Sequence, residues 1–383
     1  MKILFVRTTP NEVDLSSYNL QEVGLAKALV RKGHECDVMY YTSEADHTQT
    51  VTFDGDKTIN IHWLHGYGVF YEGYYPSLKK YVKDYDIIQV GGYVGITSWW
   101  LNSHVQDKVV NYQGPYFCPE NKGDIRKAKI WDKTLLPLSN KKNMIVATKS
   151  ALATEYIKSK GIDNVTTIGV GLDLDNILSS AEDMYEHELV KQLQTQKGDS
   201  KYLLYIGALE ERRNIHFLLR TFARTAERMP ECKLVLIGRG KKEYVDSCHA
   251  LIDELGIQNK VICRERVEQK YLKAVYELCD AFLLPTRYEI FGMVLLEAMY
   301  FGLPVCTTYN GGSSTLMTAD NGVVIEQLDE QRWANAICDV LDNAEKAASI
   351  GRNAAKTISE NYTWDALADK FLAVYESRVA LRK

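Results

Sequence analysis

Two glutamates eight residues apart, Glu289 and Glu297, stand in the segment LLPTRYEIFGMVLLEAMYFGLPV at 283–305. The segment reads as a buried strand ending in Pro285, a short loop carrying Glu289, and a helix from about Gly292 to Gly302. Pro304 follows directly, as the end of a helix requires. The first N–H groups of that helix, from Ile290 to Met293, together with its dipole favour a diphosphate. Gly292 lets the backbone approach a ligand closely. Glu297 interrupts a run of Met293, Val294, Leu295, Leu296, Ala298, Met299 and Tyr300. A carboxylate in such company needs a partner. A ribose diol would donate two hydrogen bonds to it; the plainer reading is a nearby arginine or the solvent face.

The elements that must position these residues alternate along the chain. KILFVR (2–7), a helical spacing over 19–33 and CDVMYY (36–41) form a βαβ unit, which predicts a parallel sheet. Further strands are predicted at 59–64, 86–92, 108–114, 143–149 and 165–171. A polar stretch from Asp173 to Ser200, with a short helix at 184–195, separates this half from the next. The alternation then restarts with strands at 201–207, 233–238, 260–265, 281–286, 303–308 and 322–326. Helices at 213–228, 242–255, 268–278 and 292–301 lie between them, and 328–343, 345–360 and 364–380 close the chain. The expected fold is α/β, two Rossmann-like doubly wound parallel-sheet domains facing across a cleft. The first spans 1–175, with the terminal helix 362–383 packing back on it, and the second spans 176–361. Ligands in such sheets bind beyond the carboxyl ends of the strands.

Composition narrows the function classes. The 383 residues suffice for two domains, and a charged fraction of 25% is that of an ordinary globular protein. A net charge of -4 spread along the chain argues against nucleic acid as a partner. The 8 cysteines include no CxxC pair, so reduced core residues of a cytosolic protein are expected. The 8 histidines show no metal spacing, and His62 and His65 read as structural. The opening run MKILFVR is too short for a signal peptide or a membrane span, and no stretch elsewhere is long and apolar enough. A cytoplasmic protein, or one peripheral on the inner face of a membrane, is expected. NKGDIRKAKIWDKTLLPLSNKK (121–142) carries seven Lys or Arg against two Asp around Trp131, Leu135 and Leu136. It reads either as a solvated basic face or as a contact for an anionic membrane surface.

Glutamates eight apart, with FG after the first, EAM at the second, then a glycine and PV, resemble the glutamate-x7-glutamate signature of retaining glycosyltransferases with the GT-B fold, closest to family 4. IGALEERRNIHFLL (206–219), KLVLIGRGKKEY (233–244) and NYTWDALADKFLAVYES (361–377) resemble other parts of that family, and VGLAKALVRKGHECDV (23–38) resembles its first domain. The resemblance implies transfer of a sugar from a nucleotide-diphosphate donor, by default a UDP-sugar. The acceptor it implies is a saccharide or lipid-linked molecule, in bacterial surface polysaccharide or glycolipid synthesis. It implies no cofactor and no metal.

Residue by residue, it makes Glu297 the ribose ligand and Glu289 the carboxylate facing the donor sugar. Ile290, Phe291 and Gly292 would hold sugar and phosphate through their amides, and Arg213 would neutralise the diphosphate. Arg266 and Val267 would read the base. Three departures stand out. The family's arginine after Gly207 is Ala208, leaving Arg212 or Arg213 to compensate. Its histidine near the sugar corresponds to Gln113, which hydrogen-bonds a hydroxyl but is no base. Its glycine-rich first loop is TTPNEVDLSSYN (8–19), without glycine, and Asn19 at its end is a candidate acceptor or sugar contact. The pair Gly311 and Gly312 is kept, with Thr315 where the family has glutamate. A sugar epimerase or phosphorylase of the same fold, and a non-catalytic nucleotide-sugar-binding partner subunit, remain open alternatives.

Overall fold

The computed structural model describes residues 1–69, 72–119, 122–178 and 182–382, with the side chains of 69, 124 and 176 left aside. Of the sequence expectations, position 121 of the basic segment, positions 179–181 of the polar stretch and position 383 of the terminal helix lie outside these residues. The chain divides into two compact units, Met1–Asp173 with Thr363–Lys383, and Leu174–Tyr362.

The first unit holds an eight-stranded sheet in the order β10-β9-β8-β7-β1-β2-β4-β3. Its strands are β1 (Lys2–Val6), β2 (Glu35–Thr42), β3 (His47–Phe53), β4 (Lys57–His65), β7 (Ile87–Gly91), β8 (Val109–Gln113), β9 (Val146–Thr148) and β10 (Val165–Thr167); β5 (Tyr67–Val69) and β6 (Glu72–Tyr74) pair separately. All ladders of the large sheet are parallel except β3 on β4. β3 is not among the strands expected from the sequence. Its outward residues are polar and mostly exposed, so HTQTVTF carries no apolar run, and it caps an edge as a hairpin partner. Helices Ile96–His104, Lys122–Thr134 and Ala151–Lys158 were also not anticipated.

The chain's last helix, Trp364–Ala380, closes this unit. Trp364 is buried between two glycines: a Cβ on Gly24 or on Gly171 would overlap its indole ring. Its indole N–H donates to Asn19 Oδ1 at 3.2 Å. The Tyr375 hydroxyl donates to Gln89 Oε1 at 2.6 Å, and the Arg378 Nε–H to the Val109 carbonyl at 3.0 Å. The chain has 24 tyrosines against 10 phenylalanines, and several serve as such cross-links. Tyr85, Tyr276 and Tyr202 likewise bury their rings and donate their hydroxyls across elements, to Asp37 Oδ2, Glu297 Oε2 and the Leu193 carbonyl.

The second unit holds a six-stranded parallel sheet in the order β13-β12-β11-β14-β15-β16. These are β11 (Lys201–Ile206), β12 (Cys232–Ile237), β13 (Val261–Arg264), β14 (Ala281–Leu284), β15 (Val305–Thr307) and β16 (Val323–Val324). Most expected helices are present with ends shifted by no more than two residues, including Ile215–Arg228, Lys242–Glu254 and Gln269–Leu278, whereas the one expected at 184–195 begins only at Glu188. In both sheets the direction of winding reverses beside the first strand of the unit: between β1 and β7, and between β11 and β14. Such a reversal splays the loops on either side and opens a crevice at the carboxyl ends.

Candidate functional site

The reversal in the second sheet places the loop after β11 beside the loop after β14, and these carry Arg213 and Glu289. The Arg213 guanidinium donates through Nη1 to Glu289 Oε2, and both side chains are 16% exposed. Arg213 Nε is enclosed, lies 3.8 Å from Glu210 Oε1 and completes no hydrogen bond. Arg212 points elsewhere: it is exposed and pairs with Glu210 at 2.6 Å. Of the two arginines expected to compensate for Ala208, then, Arg213 is the one brought to the glutamate.

The Glu289 loop is held from several sides. Asn214, in the left-handed region at φ 57, donates its amide to the Pro285 carbonyl at 2.7 Å. Thr308 Oγ1 and Asn310 Nδ2 donate to the Thr286 carbonyl at 2.5 and 3.2 Å. The Gly311 N–H donates to the Glu289 carbonyl at 3.0 Å. A Cβ on Gly311 would collide with the carbonyl oxygens of Ile290 and Glu289, and one on Gly312 with that of Phe291. The glycine pair therefore exists to let two backbones touch. Phe291 is buried, with its ring centroid 6.3 Å from that of Tyr362.

The helix begins at Met293, not Gly292, and ends at Tyr300. Ile290 and Phe291 thus belong to the bend ahead of it, and Gly292, at φ 84, is its N-cap. The N–H groups of Ile290, Phe291 and Gly292 donate to no partner among the described residues. Three unpaired amides in succession beside a helix start suit an anion.

Glu297 is 3% exposed, which rules out the solvent face. The hydroxyl of Tyr276, from the helix Gln269–Leu278, donates to its Oε2 at 2.8 Å. Nothing in the sequence marked Tyr276, because the pairing joins two helices 21 residues apart. Gly207 lies against the next loop: a Cβ on Gly238 would strike the Gly207 carbonyl. Ala208 is exposed, and its carbonyl accepts from the Tyr205 hydroxyl at 3.0 Å. Arg266 and Val267 follow β13, two strands from β11; Arg266 is exposed and Val267 buried. Thr315 Oγ1 donates to the Gly311 carbonyl at 3.2 Å.

The reversal in the first sheet opens a pocket of about 420 Å³, lined by Arg7, Asn19, Gly92, Gln113 and Lys149 among others. Gln113 and Asn19, the two candidate sugar contacts, thus share one cavity in the first unit. Gln113 is buried and its amide donates to the Pro115 carbonyl at 2.9 Å. Asn19 has φ 50, so the glycine-free loop obtains its left-handed residue from asparagine. Among the described residues no group of His, Cys, Asp or Glu is arranged to hold a metal ion, and all 8 cysteines are free thiols. No described helix is long and apolar enough to cross a membrane.

Comparison with known proteins agrees with this geometry. Residues 187–357 match the family described as Glycosyl transferases group 1. Within the second unit, this chain is thus similar to the group 1 glycosyltransferases. An uncharacterised glycosyltransferase of Methanocaldococcus jannaschii is 32% identical over 183 residues, covering 47% of this chain and 46% of that protein. The chain therefore aligns with about half the length of that relative. A D-inositol 3-phosphate glycosyltransferase of Corynebacterium aurimucosum is 23% identical over 97% of this chain and 93% of its own length. The solved structure of Anabaena HepE in complex with UDP and glucose superposes with a TM-score of 0.69 at 19% identity, covering 98% of this chain and 100% of the other. This likeness shows the GT-B fold over nearly the whole length of the chain.

Proposed function

We propose that the protein transfers a hexose from a UDP-sugar to a saccharide or lipid-linked acceptor with retention of configuration. The second unit is the donor-binding domain and the first unit the acceptor side. The observation that carries this reading is the Arg213–Glu289 pair beside three unpaired amides and the buried Glu297, all at the strand reversal of one sheet. The amides and Arg213 would meet the diphosphate, where negative charge grows as the bond to the anomeric carbon breaks. Glu289 would face the positive charge growing on the sugar. Glu297, with one oxygen held by Tyr276, would accept from the ribose hydroxyls.

The electron pair of the breaking bond leaves with the phosphate. The acceptor oxygen attacks on the face the phosphate departs from and gives its proton to a phosphate oxygen. The UDP and glucose held by the Anabaena protein make UDP-glucose the first donor to test. The test is release of UDP from UDP-glucose with a panel of acceptors, the anomeric configuration of the product being read by NMR. An inverted product would overturn the retaining reading. Release of UDP without any acceptor would favour an epimerase, and release that needs orthophosphate a phosphorylase.

A further inference from the structure

The short ribbon of β5 and β6 has two unlike faces. Tyr67 stands opposite Tyr74 and Gly68 opposite Gly73, and side chains alternate between faces along a strand. The glycine face has no side chain to hold it off its support, so it lies against the loop after β1. The Gly73 N–H donates to the Thr8 carbonyl at 2.6 Å, and Thr97 Oγ1 donates to the Gly73 carbonyl at 2.5 Å. A Cβ on Gly68 would stand 3.8 Å from Pro10, and one on Gly73 would overlap the Tyr75 ring. The other face therefore turns outward, with Tyr67 56% and Tyr74 43% exposed, unlike Tyr85, Tyr202 and Tyr276, which bury their rings. Side chains of directly opposed residues leave a ribbon about 5 Å apart, so the two tyrosines furnish one ledge. The Tyr67 ring stands perpendicular to that of His65, centroids 5.1 Å apart, and His65 Nδ1 lies 3.1 Å from the Ser43 and Glu44 carbonyls. Glu72, two residues before Tyr74 and so on the tyrosine face, lines the 420 Å³ pocket, as do Thr8 and Thr9. Ledge and pocket are thus continuous.

We infer that Tyr67 and Tyr74 form a saccharide-stacking subsite outside the acceptor pocket, so that an oligosaccharide places its terminal residue in the pocket and the following residues on the ribbon. This rests on the reading of the first unit as the acceptor side. A pyranose presents a face of C–H groups and a rim of hydroxyls. Tyrosine ring faces cover the first, and the phenol hydroxyls with the Glu72 carboxylate reach the second. A tyrosine also has only two side-chain torsions to fix, so it offers a large contact at low entropic cost. A lipid chain leaving the pocket by this route would have to desolvate Glu72, which stands between pocket and ledge, and so is the poorer occupant.

The experiment is calorimetry on the full chain saturated with UDP, with linear oligosaccharides of one to four units built from glucose, galactose, mannose or N-acetylglucosamine. In at least one series affinity should rise about 10-fold between one unit and three, since each aromatic contact contributes a few-fold. Tyr67→Ala with Tyr74→Ala should erase most of that rise, while UDP and the one-unit sugar bind as before. Tyr67→Phe with Tyr74→Phe should keep most of it, because the ring faces remain. Both residues are exposed, so these variants should melt as the natural protein does. Affinity independent of length in every series overturns the subsite, whether or not the variants fold. So does a rise that survives the double alanine variant. Normal binding of UDP and of the one-unit sugar without a length effect condemns the ledge alone. UDP binding with no saccharide bound at any length overturns ledge and acceptor reading together. Failure of UDP to bind condemns the donor reading and leaves the length comparison to decide the ledge.

Discussion

The two sheet reversals of this protein are built alike but furnished differently. In the second unit each acid has a partner from another element: Glu289 takes Arg213 and Glu297 takes Tyr276. The loop between them is fastened by Asn214, Asn310 and two glycines that admit no side chain. In the first unit the cavity is open and lined by charges of both signs, Arg7, Lys127 and Lys149 with Glu22 and Glu72, and Lys149 Nζ donates to the amide oxygen of Gln21. A site that stabilises developing charge must be fixed before the reaction, because reorganising dipoles would cost what they return. A pocket that selects an acceptor needs only shape and a charge to complement. The contrast is what a fixed donor site and an adaptable acceptor pocket would produce.

The comparison can be broken at its largest effect first. Trp364→Ala should cost about 3–5 kcal/mol of stability, as removal of a fully packed large aromatic does. The indole fills the slot between Gly24 and Gly171, so the loss should fall on the first unit. Hydrogen exchange would show the strands β1 and β7 exchanging faster while β11 and β14 stay protected. Equal loosening of both units would mean that the terminal helix does not belong to the first alone.

Glu289→Gln should lower turnover ~10²-fold or more, about 2.7 kcal/mol in the barrier, while UDP affinity stays within a few-fold. The amide keeps the shape and loses the charge, so the effect falls on the transition state. Steady-state kinetics beside UDP titration check this, and full activity would remove Glu289 from the mechanism.

Gly312→Ala tests the fastening of the loop. The added Cβ meets the Phe291 carbonyl, which is backbone and cannot turn aside. A loss of about 1–3 kcal/mol in stability is expected, with weaker UDP binding. Unchanged melting and unchanged UDP affinity would show that the loop yields freely.

Glu297→Ala should raise the donor KM ~10-fold, since one or two charge-assisted hydrogen bonds to the ribose are at stake. Tyr276→Phe should do less, because it removes a donor to Glu297 and not the carboxylate itself. A larger effect from Tyr276→Phe than from Glu297→Ala would recast Glu297 as a structural acid.

The smallest effect concerns the basic helix Lys122–Thr134. Trp131 is half-buried and faces Tyr93 and Trp99, Lys127 lines the pocket, and Asp132 anchors the helix to Lys160 at 2.5 Å. The exposed side chains of this helix include Lys122, Arg126, Lys129, Lys133 and the 57% exposed Ile130. Co-sedimentation with vesicles of anionic lipid should fall a few-fold when Lys129 and Lys133 become Ser, and should weaken with salt. Unaltered sedimentation leaves a solvated face.

Much of this was open to reading from the chain alone. The alternation of apolar runs and helical spacings repeats twice, and each run is local, so the two sheets and most helix positions follow from periodicity. The family resemblance rests on spacing within one segment, Glu289 to Pro304, and a strand-loop-helix preserves such spacing in space. The edge strand His47–Phe53 was hidden because a strand with little to bury has no apolar signature.

Partnership was a matter for the tertiary structure. Strand order determines which loops meet, and hydrophobic periodicity is silent on order; it took the reversals beside β1 and β11 to set Arg7 near Lys149 and Arg213 against Glu289. Tyr276 and Glu297 pair only because two helices pack side by side, and Trp364 finds Asn19 across 345 residues. Composition and spacing state which charges a chain possesses. Whether a charge is neutralised at home or left to receive a ligand depends on what the fold carries to it, because Coulomb and hydrogen-bond energies depend on distance in space and burial, not on separation in sequence.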